Sequence, residues 1–149
     1  MLELQDSIII NQPPEVIYRW FKNRFVKDYK KWHPKDHILA KWIKGKGFEP
    51  GSVLYAEEYL GERIAKLTFK LIKNIPDSLI EYKVLFPESI VCSGGSFLIE
   101  PHGKGSIFTA TLTFRFGFIL SKFLSQRVNI LKRHMKEEGE NLKRILEKE

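Results

Sequence analysis

Apolar and polar residues alternate through "LELQDSIIIN" at the start of the chain, and three isoleucines close the run, a pattern that predicts a strand. A proline pair comes next in "QPPEVIYRWFKN", where Val16, Ile17, Trp20 and Phe21 recur at helical spacing, so the strand leads into a short helix. A second short helix or turn is expected through "FVKDYKKW", and Pro34 ends it, because proline disfavours the α conformation in the residue before it. Most of the chain beyond Pro34 reads as strand: "ILAKWIKG", "SVLYAEEYL", "RIAKLTFKLIKN", "SLIEYKVLF", "IVCSGGSFLIEP" and "SIFTATLTFRFGF", separated by turn signals such as "FEPG", "LGER", "IPDS" and "PHGKG". With the first run, that makes seven strands. From Ser121 onward the period becomes helical, with Phe123 or Leu124, Val128, Leu131, Met135, Leu142 and Ile145 forming a stripe at three- and four-residue steps.

The order strand, two short helices, six strands and one long helix predicts an α+β domain spanning 1–149, its antiparallel sheet curled around a helix that covers the open side. Composition supports this, since 149 residues with 43% apolar content can bury a real core. The formal charge is +7, but the lysines are spread along the whole chain, which reads as an ordinary solvated face. Cys92 stands alone, so neither an internal disulfide nor a thiolate cluster is expected. The first residues lack a basic n-region and no run reaches the length of a membrane span, so a cytoplasmic protein is expected.

One residue breaks the helical stripe. Glu138 falls on the face that Met135 and Leu142 share, where an ionised carboxylate is costly unless it is paired or bound to a cation. His134 lies one turn earlier, giving H-x-x-x-E, the spacing at which two side chains of one helix reach one metal, or else form a solvated pair at the stripe's edge. Gly139 is the next residue, and a glycine inside a helix points to close approach by another element. In the hairpin "SVLYAEEYLGERIAKLTFKL", a two-residue turn at Gly61 and Glu62 pairs Leu60 with Arg63, Glu58 with Ala65 and Ala56 with Leu67. Glu58 then faces the core and Glu57 faces water beside Lys66, while a one-residue slip exchanges their roles. His33 and His37, in "DYKKWHPKDHILAKW", fall at the joint between the second helix and the next strand. His102 lies in a turn signal and is expected to be exposed.

The element order resembles the helix-grip fold of the START and Bet v 1-like superfamily (SRPBCC, polyketide cyclase-like), whose members enclose a cavity between sheet and long helix. Within it, "YKKWHPKDHI", "EEYLGE" and "RHMKEEGENLKRIL" resemble the 2,4-diacetylphloroglucinol hydrolase family. That resemblance implies one zinc, or another divalent transition metal, bound by two histidines and two glutamates at positions matching His37, Glu58, His134 and Glu138. It also implies hydrolysis of a carbon–carbon bond in a small acylated phenol or diketone-like molecule held in the cavity. His33 is an extra imidazole that is either a ligand in place of His37 or a proton carrier beside it. For proton traffic the sequence offers His33, Asp36 and the tyrosines Tyr55, Tyr59 and Tyr82, of which the hairpin parity turns Tyr55 and Tyr59 outward, and no catalytic residue is assigned. The extended N-terminal portion of the phloroglucinol-degrading enzymes has no counterpart, so their substrate-wall residues are not carried over.

The rival reading is a carrier that holds an apolar or aromatic molecule without turning it over. A third places the basic, amphipathic "FGFILSKFLSQRVNILKRH" on an anionic membrane, although the sheet it must cover explains its apolar side. Nucleic-acid binding is not expected, because the lysine-rich stretches lack arginine and any module signature.

Overall fold

The computed structural model describes residues 2–115 and 125–148. Seven strands, β1 (Leu2–Ile10), β2 (His37–Lys44), β3 (Val53–Leu60), β4 (Arg63–Ile75), β5 (Leu79–Val84), β6 (Cys92–His102) and β7 (Gly105–Phe114), form one antiparallel sheet in the order β1-β7-β6-β5-β4-β3-β2. Strands adjacent in sequence pair with each other from β2 to β7, and β1 closes onto β7 from Leu2 opposite Phe114 to Ile10 opposite Ser106. Between β1 and β2 lie α1 (Pro14–Arg24) and α2 (Tyr29–Trp32), and α3 (Ser125–Glu147) crosses the inner face. The chain thus adopts the helix-grip fold that the element order implies.

Local chemistry accounts for the elements that position the interior. Helix α1 starts with Pro14 in its first turn, where the missing N–H would have no partner anyway, and carries Glu15 near its positive end and Lys22 and Arg24 near its negative end. Its buried Trp20 and Phe21 enter an aromatic core, with Phe21 centred 4.8 Å from Phe97 and 5.6 Å from Phe108. In α3 the stripe residues Met135 and Leu142 are buried and Val128, Leu131 and Ile145 partly so, while Leu146, outside the expected stripe, is buried in place of Ile145. The part of that stripe at Phe123 or Leu124 lies outside the described residues.

The seventh strand ends at Phe114, and 116–118 of its expected span lie outside the described residues; two further strand ends differ from the sequence pattern. Strand β5 stops at Val84 and β6 starts at Cys92, while Glu88–Ile90 forms a 3-10 turn closed by Ile90 N–H to the Pro87 carbonyl at 3.2 Å. Pro87 has no N–H to give a ladder, so the pairing ends ahead of it. Among the described residues no helix is long and apolar enough to cross a membrane.

Candidate metal centre

Four polar side chains from three elements meet at the inner face of the sheet. His37 opens β2 directly after the turn that Pro34 sets, and the ring is fully buried. Glu58 lies on β3, with Leu60 paired to Arg63 and Glu58 to Ala65 across the hairpin, so that it shares the inner face with Leu54 and Ala56. The turn that sets this register places Gly61 at φ +69°, a conformation glycine adopts without strain. Glu57 faces outward and accepts the Tyr55 hydroxyl at 2.6 Å. His134 and Glu138 come from successive turns of α3, and Gly139 beside them lets the helix approach β1: a Cβ there would stand 3.3 Å from Asp6 Oδ2 and 3.4 Å from Ile8 Cγ2.

The ligand atoms of His37, Glu58, His134 and Glu138 all lie within 4.8 Å of one another. His37 Nε2 is 2.8 Å from Glu138 Oε2 and 3.6 Å from Glu58 Oε2, and His134 Nε2 is 3.3 Å and 3.5 Å from the same two oxygens. For a tetrahedral zinc with bonds of about 2.0–2.2 Å, neighbouring ligand atoms stand roughly 3.3–3.6 Å apart, so three of these four edges already suit the ion.

What lies behind the imidazoles matters as much. His37 Nδ1–H donates to the Tyr29 carbonyl at 2.8 Å, and His134 Nδ1–H donates to Asp36 Oδ2 at 3.0 Å. A carbonyl can only accept, so in a neutral His37 the proton is on Nδ1 and the Nε2 lone pair faces Glu138. Two lone pairs 2.8 Å apart repel unless a cation, a proton or a metal, lies between them. The Glu58 carboxylate and the helix backbone at Glu138 are held as well: the Tyr29 hydroxyl donates to Glu58 Oε2 at 2.6 Å, and Trp32 Nε1–H donates to the Glu138 backbone carbonyl at 2.9 Å. Burial, then the charges of Glu58 and Glu138, raise the Tyr29 hydroxyl well above its usual range, so it stays a neutral donor.

The electrostatics of the four side chains point the same way. Burial works against a charge on His134, but Glu138 and Glu58 override it and push the imidazole up to about 12. Burial likewise opposes ionisation of Glu138, yet His134 and His37 hold its carboxyl well below the ordinary range. Both shifts have one cause: two largely buried carboxylates facing two imidazoles favour a positive charge between them.

His33 occupies a different position. Its ring stacks on His134 with centroids 5.0 Å apart, and its Nε2 faces Asp36 Oδ2 and Glu137 Oε1, each at 3.5 Å. Asp36 N–H donates to His33 Nδ1 at 3.1 Å, which leaves the proton of a neutral ring on Nε2. Although His33, Asp36 and His134 offer their ligand atoms close together, His33 turns an N–H toward the gap and not a lone pair. His102 ends β6 and is exposed, away from this site.

Glu58, His134 and Glu138 also line a cavity of about 800 Å³ between the sheet and α3. Its walls are mainly apolar, among them Phe69, Phe97, Leu112 and Leu131, and Tyr82 adds a phenol. Burial raises the Tyr82 hydroxyl well above its ordinary value, so it too stays a neutral donor, while Tyr59 is exposed on the outer face with Tyr55. Sequence patterning does not reveal Tyr29 and Trp32 as supports of the cluster, because nothing in the local period of α2 shows that it docks against α3.

A cavity enclosed by this sheet and helix is the setting in which comparison with known proteins becomes informative. The sequence model of the family described as polyketide cyclase/dehydrase and lipid transport matches residues 1–147. The chain belongs to that family. No curated protein matches its sequence. Solved structures similar to this family member include norcoclaurine synthase from Thalictrum flavum, at 12% identity and a TM-score of 0.77, covering 99% of this chain and 87% of the synthase. A protein from Thermus thermophilus aligns at 16% identity and a TM-score of 0.72, over 97% of each chain. The crystal structure of Ara h 8.0201 aligns at 16% identity and a TM-score of 0.74, over 99% of each chain. At these identities the likeness is one of fold.

Proposed function

We propose that the protein is a metal-dependent hydrolase, with zinc or another divalent transition metal held by His37, Glu58, His134 and Glu138. Its substrate would be a small acylated phenol or diketone-like molecule in the cavity, cleaved at a carbon–carbon bond. This makes the chain 2,4-diacetylphloroglucinol hydrolase-like within its family. The observation that carries the reading is the paired anchoring of both imidazoles at Nδ1, which turns their Nε2 atoms onto two carboxylates and leaves a place that only a cation satisfies.

A divalent metal bound there would supply Lewis acidity toward an acyl or phenolic oxygen. The chain's own residues do the rest. Tyr29 and Asp36 keep Glu58 and His134 oriented, and the apolar walls exclude bulk water and so strengthen the electrostatics of the site. Tyr82 presents a neutral hydroxyl to a ligand oxygen. In the overall reaction water adds across the bond between the acyl carbon and its neighbour: the acyl part leaves as a carboxylic acid, and the neighbouring carbon takes the proton. Norcoclaurine synthase, of the same fold, has been seen in complex with dopamine and hydroxybenzaldehyde, which supports a phenol-sized occupant.

A second reading is a carrier of an apolar or aromatic molecule, favoured by the large, mainly apolar cavity. Elemental analysis of the purified protein, beside His134→Ala and Glu138→Ala, separates the two. Near-stoichiometric metal lost in both variants, with cleavage of an acylphenol to a carboxylic acid, supports the hydrolase. Protein that takes up no metal even after zinc is added sinks it and leaves the carrier.

A further inference from the structure

The sheet divides into two electrostatic halves. Strands β1, β6 and β7 contain no lysine or arginine. On β2, β4 and β5, by contrast, pairing places Lys41, Lys44, Lys66, Lys70, Lys73 and Lys83 on the outer face, in the rows of Val53, Tyr55, Glu57 and Glu81. Because β1 pairs with β7 and β7 with β6, the lysine-free strands are contiguous, and so are the lysine-bearing ones on either side of β3.

This half-face is more than a solvated surface. Lys70 and Lys83 stand directly opposite each other on β4 and β5, an arrangement that costs stability through like-charge repulsion. Glu57 lies opposite Lys66 and Glu81 opposite Lys73, yet among the described residues none of the six lysines closes an ion pair. Large apolar side chains are interleaved with them: Ile43 is 58% exposed, Ile64 52% and Ile72 46%. Ile64 and Arg63, beside the β3–β4 turn, also line the cavity, so the face adjoins its mouth.

We propose that this half of the sheet docks on an anionic lipid surface, through which an apolar ligand enters or leaves the cavity. Lysines around protruding isoleucines match a bilayer, where the ammonium groups meet anionic headgroups and the isoleucines reach the acyl boundary. A nucleic acid fits less well, because flat phosphate recognition favours the bidentate geometry of arginine and the six cations here are all lysine. The proposal needs only the outer face and the cavity, and it stands whether or not the metal site turns substrate over.

The test is co-sedimentation of the full chain with vesicles of phosphatidylcholine alone and of phosphatidylcholine with phosphatidylglycerol in equal parts. Each lysine near an anionic surface is worth roughly a fivefold change in binding. The double variant Lys70→Glu/Lys83→Glu is therefore expected to lose at least about tenfold on the anionic vesicles, and Lys22→Glu/Lys148→Glu, with the same change in net charge, far less. Ile43→Ser/Ile64→Ser should weaken binding while leaving its salt dependence in place. Circular dichroism and melting curves establish that each variant is folded, and a salt titration of the unaltered chain gives an independent reading. Equal binding to neutral vesicles, no binding to either, or equal loss in the two charge variants overturns the proposal. So does tighter binding of a short DNA duplex that the isoleucine variant leaves unchanged, which would assign the face to nucleic acid.

Discussion

His37 Nε2 and Glu138 Oε2 lie 2.8 Å apart although 101 residues separate them in the chain. One opens the second strand and the other sits in the long helix, with an acceptor behind the imidazole and a cavity in front of the carboxylate. If a cation belongs between them, its removal has measurable consequences.

Metal removal is the most direct. A ligand present at about a hundred times its dissociation constant stabilises by about 2.7 kcal/mol, which for a chain of this size is a shift of about 5–10 °C in Tm. Scanning calorimetry of chelator-treated protein should therefore show a rise of that order on adding zinc. In Glu138→Gln the rise should vanish.

Tyr29→Phe deletes only the hydroxyl that holds Glu58. Supports of this kind typically change metal affinity by about 10–100-fold, so competition with a chromophoric chelator should show zinc weakened within that range. Unchanged affinity would mean that Glu58 is held by its backbone position alone.

Cavity and metal should be separable. Leu112 is half-buried on the cavity wall, and Leu112→Trp is expected to fill part of the space and weaken binding of a fluorescent apolar probe. The stoichiometry of zinc in that variant should not change.

Gly139 offers a steric test. Alanine should alter stability by less than about 1 kcal/mol, because its gain in helix propensity is set against contacts of 3.3 Å and 3.4 Å with side-chain atoms that can yield. Leucine has no such room against β1 and should cost about 1–3 kcal/mol in urea denaturation.

Asp6, on β1, gives a pH signature of its own, with Glu138 among the weaker charges that act on it. Burial first, and then the charge of Glu140, raises its carboxyl above the ordinary value of 3.8. The unfolded chain therefore gives up this proton more readily than the folded one, and the residue lowers stability increasingly as pH climbs past that value. Asp6→Asn should be the more stable protein at neutral pH, and the difference should close as the solution is taken to about pH 3.

Much of this architecture is legible in the residues. Alternation and turn chemistry mark the seven strands, and the Gly61–Glu62 turn gives Glu58 its inward direction because opposite partners share a face. Glu138 shows itself as a charge within an apolar stripe. Tyr29 and Asp36 do not: their contacts with Glu58 and His134 depend on how a four-residue helix and the turn after it meet the cluster, which no local period records. The lysine-free strands are likewise visible in the sequence, but only the pairing of β1 with β7 joins them into one half of a sheet.

The joining of β2 to α3 at His37 and Glu138 also bears on how the chain matures. An ion held by both would act as a cross-link across about a hundred residues, and a covalent link of that span removes about 4.7 kcal/mol of freedom from the unfolded chain in the chain-entropy model. On a ribosome, two of the four side chains emerge only after the whole sheet has been made. Metal capture would then come last, once the final helix has seated, so that a loaded site certifies a finished fold.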